Sequence, residues 1–210
     1  MDRLHARHER TRAMEFRRAT REDIPAILDV QAANFIGNLK DAERRDGFLS
    51  LTFTHRQLEE MAGQVGIIVA AIGGRLAGYL CASSREFNRP FHLLDAMMRQ
   101  FDVIDYRGRL LASSRVFIYG PVCIDRSYRG QGLLRGLYDT LLQEVAGRYD
   151  IGVAFVADDN PHSLRVHLDG LGMAHVGEFP FSGKQYHILA FDVRSGNRNG
   201  AASKPVAEKT

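Results

Sequence analysis

The sequence predicts an α/β (α+β) fold in a single domain, and three observations carry that prediction. Short apolar or alternating runs of strand character are interleaved with segments whose apolar residues recur every three to four positions. Two strand segments, Gly66 to Ile72 and Arg75 to Ala82, flank Gly73-Gly74, a pair able to take the positive φ angles of a tight hairpin turn. A further strand, Arg115 to Asp125, runs through a glycine turn directly into a helix. The 210 residues suffice for one domain with a sizeable core, and 45% apolar with 25% charged residues is an ordinary globular balance.

In chain order, residues 1–12 form a basic arm without an apolar face, expected to be disordered. The folded domain is expected over 13–194, and 195–210 read as a disordered tail by composition. Met14 to Ala19 alternates as a short strand. Thr20 can cap a helix while Asp23 reaches back to it, and Pro25 falls in the first turn, where a missing N–H costs little. Ile24, Ile27, Leu28 and Gln31 continue that helix, and Phe35 ends its stripe. Residues 41–62 read as further helix, with Leu58 and Met61 on one face. After the hairpin, Phe91, Leu94, Met97, Met98 and Phe101 suggest an amphipathic helix within 84–113, its stripe reading as core.

In the strand Arg115 to Asp125, Val116, Ile118, Val122 and Ile124 share one parity, and Gly120-Pro121 interrupts the middle. Proline cannot donate to a ladder and glycine permits a kink, so a bulge or splayed pairing is expected there, leaving backbone amides free. Next come Arg129-Gly130-Gln131-Gly132-Leu133-Leu134-Arg135 and a helix with Leu133, Leu137, Leu141 and Val145 on its buried face. The helix N-terminus presents unpaired N–H groups and the positive end of its dipole, and two glycines let an anion approach closely. Arg129 and Arg135 can add charge-assisted contacts. The Gly130, Gly132, Gly136 spacing also fits a variant dinucleotide fingerprint, but the turn lies past the midpoint, with too little chain beyond it to complete such a domain. No Gly-Lys-Ser/Thr occurs, which excludes a Walker A loop.

Downstream, Ile151 to Ala157 is a strand. Asn160 is then an N-cap, with Pro161 at the first position of a short helix carrying Leu164 and Leu168. Gly170 or Gly172 ends that helix, and Met173 to Phe179 with Tyr186 to Val193 read as a closing strand pair.

Together, Val122-Cys123-Ile124-Asp125, Arg129 through Gly132, Asn160-Pro161-His162-Ser163 and Leu171-Gly172-Met173 resemble the GNAT superfamily of acyl-CoA-dependent N-acetyltransferases, over about residues 14 to 193. Arg18 to Ile24 is a weaker echo. The resemblance implies a mixed, mostly antiparallel sheet of about seven strands flanked by helices and splayed between strands 4 and 5. It implies an N-acetyltransferase that moves an acetyl group from acetyl-CoA to a primary amine, small molecule or peptide, in a ternary complex. By that likeness the backbone of Val122, Cys123 and Ile124 would hold the pantetheine arm and thioester. Gly130, Gln131, Gly132, Leu133, Leu134 and Arg135, with Arg129, would take the pyrophosphate, and Asn160 and Ser163 would contact the rest of the arm.

Two positions depart from the family pattern. Leu134 stands where glycine or alanine is usual, and Leu168 stands where many members place a tyrosine that protonates the leaving thiolate. His167, adjacent on the helix, is the candidate acid, with an ordinary solvated histidine as the alternative. For the base, the strand Ile151 to Ala157 carries no acid; Asp158 and Asp159 read as loop acids and Tyr119 is a candidate. A non-catalytic acyl-CoA sensor, or an interaction module built on the Phe91–Phe101 stripe, is the alternative function, and a homodimer the corresponding partner.

Other classes are disfavoured. Residues 1–21 hold seven Arg and three acids, net +4, and 194–210 hold four Lys or Arg and one acid, net +3; since the whole is +3, residues 22–193 carry −4. An acidic body argues against a nucleic-acid groove and favours a cationic acceptor. No apolar run approaches the roughly 20 residues of a membrane helix, and no apolar leader opens the chain. Cys81 and Cys123 read as buried free thiols of a reducing, cytoplasmic compartment. The eight histidines are scattered along the chain and neither cysteine has a ligand partner nearby, so no metal site is expected.

Overall fold

The computed structural model describes residues 13–193, so the expectations for 1–12 and 195–210 lie outside the described residues. Its strands are β1 (Met14–Arg18), β2 (Gly66–Ile72), β3 (Arg75–Ser83), β4 (Val116–Ile124), β5 (Ile151–Ala157), β6 (Ala174–Phe181) and β7 (Lys184–Asp192). They form one seven-stranded sheet in the order β1-β2-β3-β4-β5-β7-β6. Every neighbouring pair is antiparallel except β4–β5, which runs parallel over only three residues, Val116 to Ile118 against Ile151 to Val153. Beyond Ile118 the two strands part, so the sheet is splayed between its fourth and fifth strands.

The helices are α1 (Ile24–Asn34), α2 (Asp41–Arg44), α3 (His55–Gly63), α4 (Arg85–Asn88), α5 (His92–Met98), α6 (Leu133–Val145) and α7 (Pro161–Arg165), the last continuing as a π turn over Val166–Gly170. The Leu133, Leu137, Leu141 and Val145 stripe of α6 packs with Leu80, Phe117, Tyr119, Ala154 and Phe191 in a core that spans both sides of the β4–β5 seam. On the opposite face α1 and α3 bury Ile24, Ile27, Leu58 and Met61 against β2 and β3, and α5 buries Met97 against β5 and β7. None of the helices among the described residues is long and apolar enough to cross a membrane.

Two sequence expectations need correction, and a third is borne out. The helix expected over 41–62 is two short helices separated by a loop. Gly47 takes φ +90°, and Leu49 bridges in parallel to Phe35, both incompatible with a continuous helix. Thr54 then caps α3 afresh, accepting the Gln57 N–H at 3.4 Å. The helix expected within 84–113 is found as α5 continuing in a 3₁₀ turn over Arg99–Asp102, and its Leu94, Met97, Met98 and Phe101 are buried as the core stripe expected. Finally, the shared parity along β4 does not survive its middle. Leu80 faces Val122 but Ala82 faces Tyr119, so β4 carries one extra residue at Gly120-Pro121. Val116 and Ile118 therefore pack on one side of the sheet, while Val122 and Ile124 pack on the other.

Candidate functional site

The splay and the bulge together make the site. Past Ile118, β4 is bonded to β3 alone, so backbone groups on its β5 side are free of the ladder. A cavity of ≈ 90 Å³ opens there. Its walls are Tyr119 to Val122 of β4, Ala154 to Ala157 of β5, Asn160, Ser163 and His167 of α7 and its π turn, and the loop Phe48 to Leu51.

At its far end β4 leads into the glycine turn. Gly130 and Gly132 take φ +75° and +79°, and a Cβ at either would meet nothing within 4 Å, so the backbone of the turn faces open space. Gly132 caps α6. The first intrahelical bond runs from Gly136 N–H to Gly132 O at 3.3 Å, which leaves the amides of Leu133, Leu134 and Arg135 unpaired within the helix. Gln131 and Arg135 are exposed beside them, and Leu134 turns against the core, clearing the position where a smaller residue was expected. This cradle lies outside the cavity lining; β4 is what joins the two.

Two residues expected to touch a cofactor through their side chains are engaged elsewhere. The Arg129 guanidinium donates to Asn34 Oδ1 at 2.7 Å, Asp46 O at 3.0 Å and Ile124 O at 3.2 Å. Asn160 donates from Nδ2 to Phe48 O at 3.1 Å and caps α7 by accepting the Ser163 N–H at 3.3 Å. Both side chains thus pin the 46–49 loop over the cavity, work that a residue-type reading had assigned to phosphate and pantetheine. Ser163 remains on the cavity wall. Cys123 faces the opposite core, where burial pushes its thiol up to about 12, so only its backbone belongs to the site.

His167 is not a solvated histidine: it is 5% exposed and lines the cavity. It follows the cavity-lining Ser163 by four residues, one helical turn, which puts both on the same face. The helix then widens: Leu171 N–H bonds back five residues to Val166 O at 3.1 Å and Met173 N–H six residues to His167 O at 3.1 Å. Its Nδ1 lies 2.7 Å from Ser163 O. A carbonyl only accepts, so Nδ1 carries the proton and the neutral ring keeps its lone pair on Nε2. Burial holds this imidazole below its ordinary value, with the Ser163 backbone bond opposing.

Tyr119 meets the His167 ring edge-on at 5.5 Å and packs with Tyr138 and Phe191. Its buried hydroxyl has no hydrogen-bond partner, and burial raises its pKa well above the ordinary value. A tyrosine held protonated is able to give a hydrogen bond, and the neutral histidine is able to accept a proton. The cavity-lining loop 48–51 was missed in sequence; Gly47, a breaker inside the supposed helix, was the signal for it.

Comparison with known proteins agrees with this architecture. The family model described as acetyltransferase (GNAT) family matches residues 26–173. The yncA protein of Salmonella typhimurium, solved with its cofactor acetyl-CoA, superposes with a TM-score of 0.57 at 15% identity, covering 94% of this chain and 98% of that one. A ribosomal-protein-alanine N-acetyltransferase from Brucella melitensis gives 0.57 at 18% identity, covering 85% and 99%. An N-acetyltransferase from Staphylococcus aureus Mu50 gives 0.57 at 17% identity, covering 86% and 99%. These likenesses show the fold. No curated protein matches the chain significantly in sequence.

Proposed function

Since this chain belongs to the GNAT family of acetyltransferases, we propose that it is an N-acetyltransferase that moves an acetyl group from acetyl-CoA to a primary amine by direct attack in a ternary complex. The observation that carries this reading is the free β4 edge between Tyr119 and Ile124, beside a cavity at one end and a glycine-capped helix N-terminus at the other. The residues present fit the donor: the glycine turn is open, and the Tyr119 hydroxyl is a buried donor without an acceptor.

Acetyl-CoA supplies an activated thioester. The chain supplies the rest. Backbone groups of Val122, Cys123 and Ile124 continue the sheet pattern onto an extended arm. The amides of Gly130 to Arg135, the α6 dipole and the Arg135 guanidinium neutralise a pyrophosphate, while Arg129 and Asn160 hold the covering loop in place. Ser163 borders the arm. His167 Nε2 takes a proton from the amine, since only a neutral amine can attack. Tyr119 donates a hydrogen bond at the cavity wall, in low-dielectric surroundings where such a bond is strong. The acidic body, net −4 over residues 22–193, favours a cationic acceptor, small molecule or peptide. The relative from Brucella melitensis, by its name, acetylates a protein amine. Two free, buried cysteines fit a cytoplasmic setting.

Thermal melting with and without acetyl-CoA, followed by CoA release across a panel of amines, tests the reading. Donor at about a hundred times its Kd should contribute about 2.7 kcal/mol, which is roughly 5–10 °C for a domain of this size. No upward shift defeats the proposal. A shift without CoA release from any amine leaves a sensor in its place.

A further inference from the structure

The geometry points to a divalent transition-metal site on the β6–β7 hairpin, built from His175, Glu178 and His187 with zinc as its best-fitting ion. In sequence these residues lie apart; the fold brings them together. Glu178 and His187 face each other across the β6–β7 ladder. His175 precedes Glu178 by three, which in a regular strand would put the two on opposite faces. The register shift between His175 and Gly177 adds one residue and returns both to the same face.

Three electron-pair donors then converge. His175 Nε2 and His187 Nδ1 are 3.1 Å apart, and Glu178 Oε1 lies 3.6 Å from the first and 3.2 Å from the second. Bonds of about 2.1 Å in a tetrahedral centre place neighbouring ligand atoms roughly 3.4 Å apart. The three observed edges bracket that value.

The surroundings are those of metal ligands. His187 Nε2 lies 3.2 Å from Asp158 Oδ1, and a carboxylate there fixes the ring so that Nδ1 presents its lone pair inward. The other oxygen of Glu178 accepts from Gln185 Nε2 at 3.2 Å, which orients its carboxylate. An inward lone pair of His187 thus faces a carboxylate oxygen and a second imidazole nitrogen, an arrangement that a cation at the centre relieves. Two imidazoles and one carboxylate suit zinc and leave a fourth position for water or an external ligand. His187 pairs in register with Val156, a residue of the cavity wall, so the metal would brace the strand next to the site.

Calorimetric titration of the untagged, metal-stripped full chain with zinc, together with the visible spectrum of its cobalt(II) form, tests the assignment. The wild type should bind one equivalent, and cobalt should give the intense bands of a four-coordinate centre. His175→Ala and Glu178→Gln should each weaken zinc at least tenfold, and Asp158→Asn should weaken it about 10–100-fold through the lost carboxylate behind His187. His5→Ala/His8→Ala, in the basic arm, should leave the affinity unchanged. His175 and Glu178 are exposed, so these variants should melt as the metal-free wild type does. Absence of zinc binding overturns the proposal, as does equal binding by wild type and His175→Ala or loss of binding in the His5/His8 variant.

Discussion

His167 has one nitrogen committed to the Ser163 carbonyl, which leaves Nε2 alone to exchange protons. Burial, the larger influence on this ring, keeps it neutral to lower pH than a free histidine, whose ordinary value is 6.5. In the unfolded chain His167 protonates near that value, whereas in the folded chain it does so only at lower pH. Between those two points the unfolded state holds more protons, so the contribution to stability is full above about pH 6.5 and declines as pH falls below it. His167→Gln should therefore lose less of its urea midpoint than wild type between pH 7.5 and 5.5. As the proposed base, the wild-type residue should give kcat/KM an acid limb with a midpoint below 6.5, and His167→Gln should lower kcat roughly 10²–10⁴-fold. Equal midpoint losses in both proteins would mean that the ring is not held neutral. Residue types alone point elsewhere: next to a leucine at the family's acid position, His167 reads as an acid or a solvated side chain. Arg129 and Asn160 show the same limit. An arginine beside glycines suggests phosphate, but only the fold reveals that each of its three nitrogens donates within the chain, to Asn34, Asp46 and Ile124.

Elements were most legible where one local rule decides them. Gly73-Gly74 fixed the β2–β3 hairpin, and four leucine and valine positions at helical spacing fixed α6. Elements whose form depends on a residue count escaped: the extra residue in β4 flips Val122 and Ile124, and a π turn widens the helix over Val166–Gly170, and neither insertion alters composition or period enough to be read. Gly130, Gly132 and Gly136 look equivalent in sequence, yet the structure gives them different work. Gly132 takes φ +79° with open space around it, so alanine there meets a backbone penalty of about 1–2 kcal/mol and no collision. Gly136 lies inside α6, where alanine is favoured by propensity, but its Cβ would stand 2.2 Å from Phe16 Cζ of β1. Gly136→Ala should destabilise by about 1–3 kcal/mol through displacement of that ring, with acetyl-CoA affinity unchanged. Gly132→Ala should weaken acetyl-CoA at least tenfold, because the added methyl occupies the cradle. Melting and calorimetric titration of the pair separate packing from binding, and a Gly136→Ala variant that loses affinity as severely would assign the helix, not the turn, to the donor.

At the scale of the molecule, the sheet is two antiparallel halves joined by a three-residue parallel seam, with α6 and its core bridging both. That design opens the ladder between β4 and β5 in the middle of the sheet. The strand interiors of β2, β3 and β7, and β5 over Ile151 to Val153, have partners on both sides and are buried, so their amides should exchange only through global unfolding. The β4 amides beyond Ile118 that turn toward β5, and those of Leu133 to Arg135, lack ladder or helix partners and should exchange orders of magnitude faster in the free protein. If the free β4 edge is the donor site, saturating acetyl-CoA should slow these two groups together, since a single extended ligand spans the distance between them. The outer strands β1 and β6 should be indifferent to it. Protection of the α6 amides alone would mean that an anion site exists without an arm along β4, which would turn the reading from acyl transfer to simple phosphate binding. Protection that appears first in β6 would move the ligand to the other half of the sheet and away from the splay altogether.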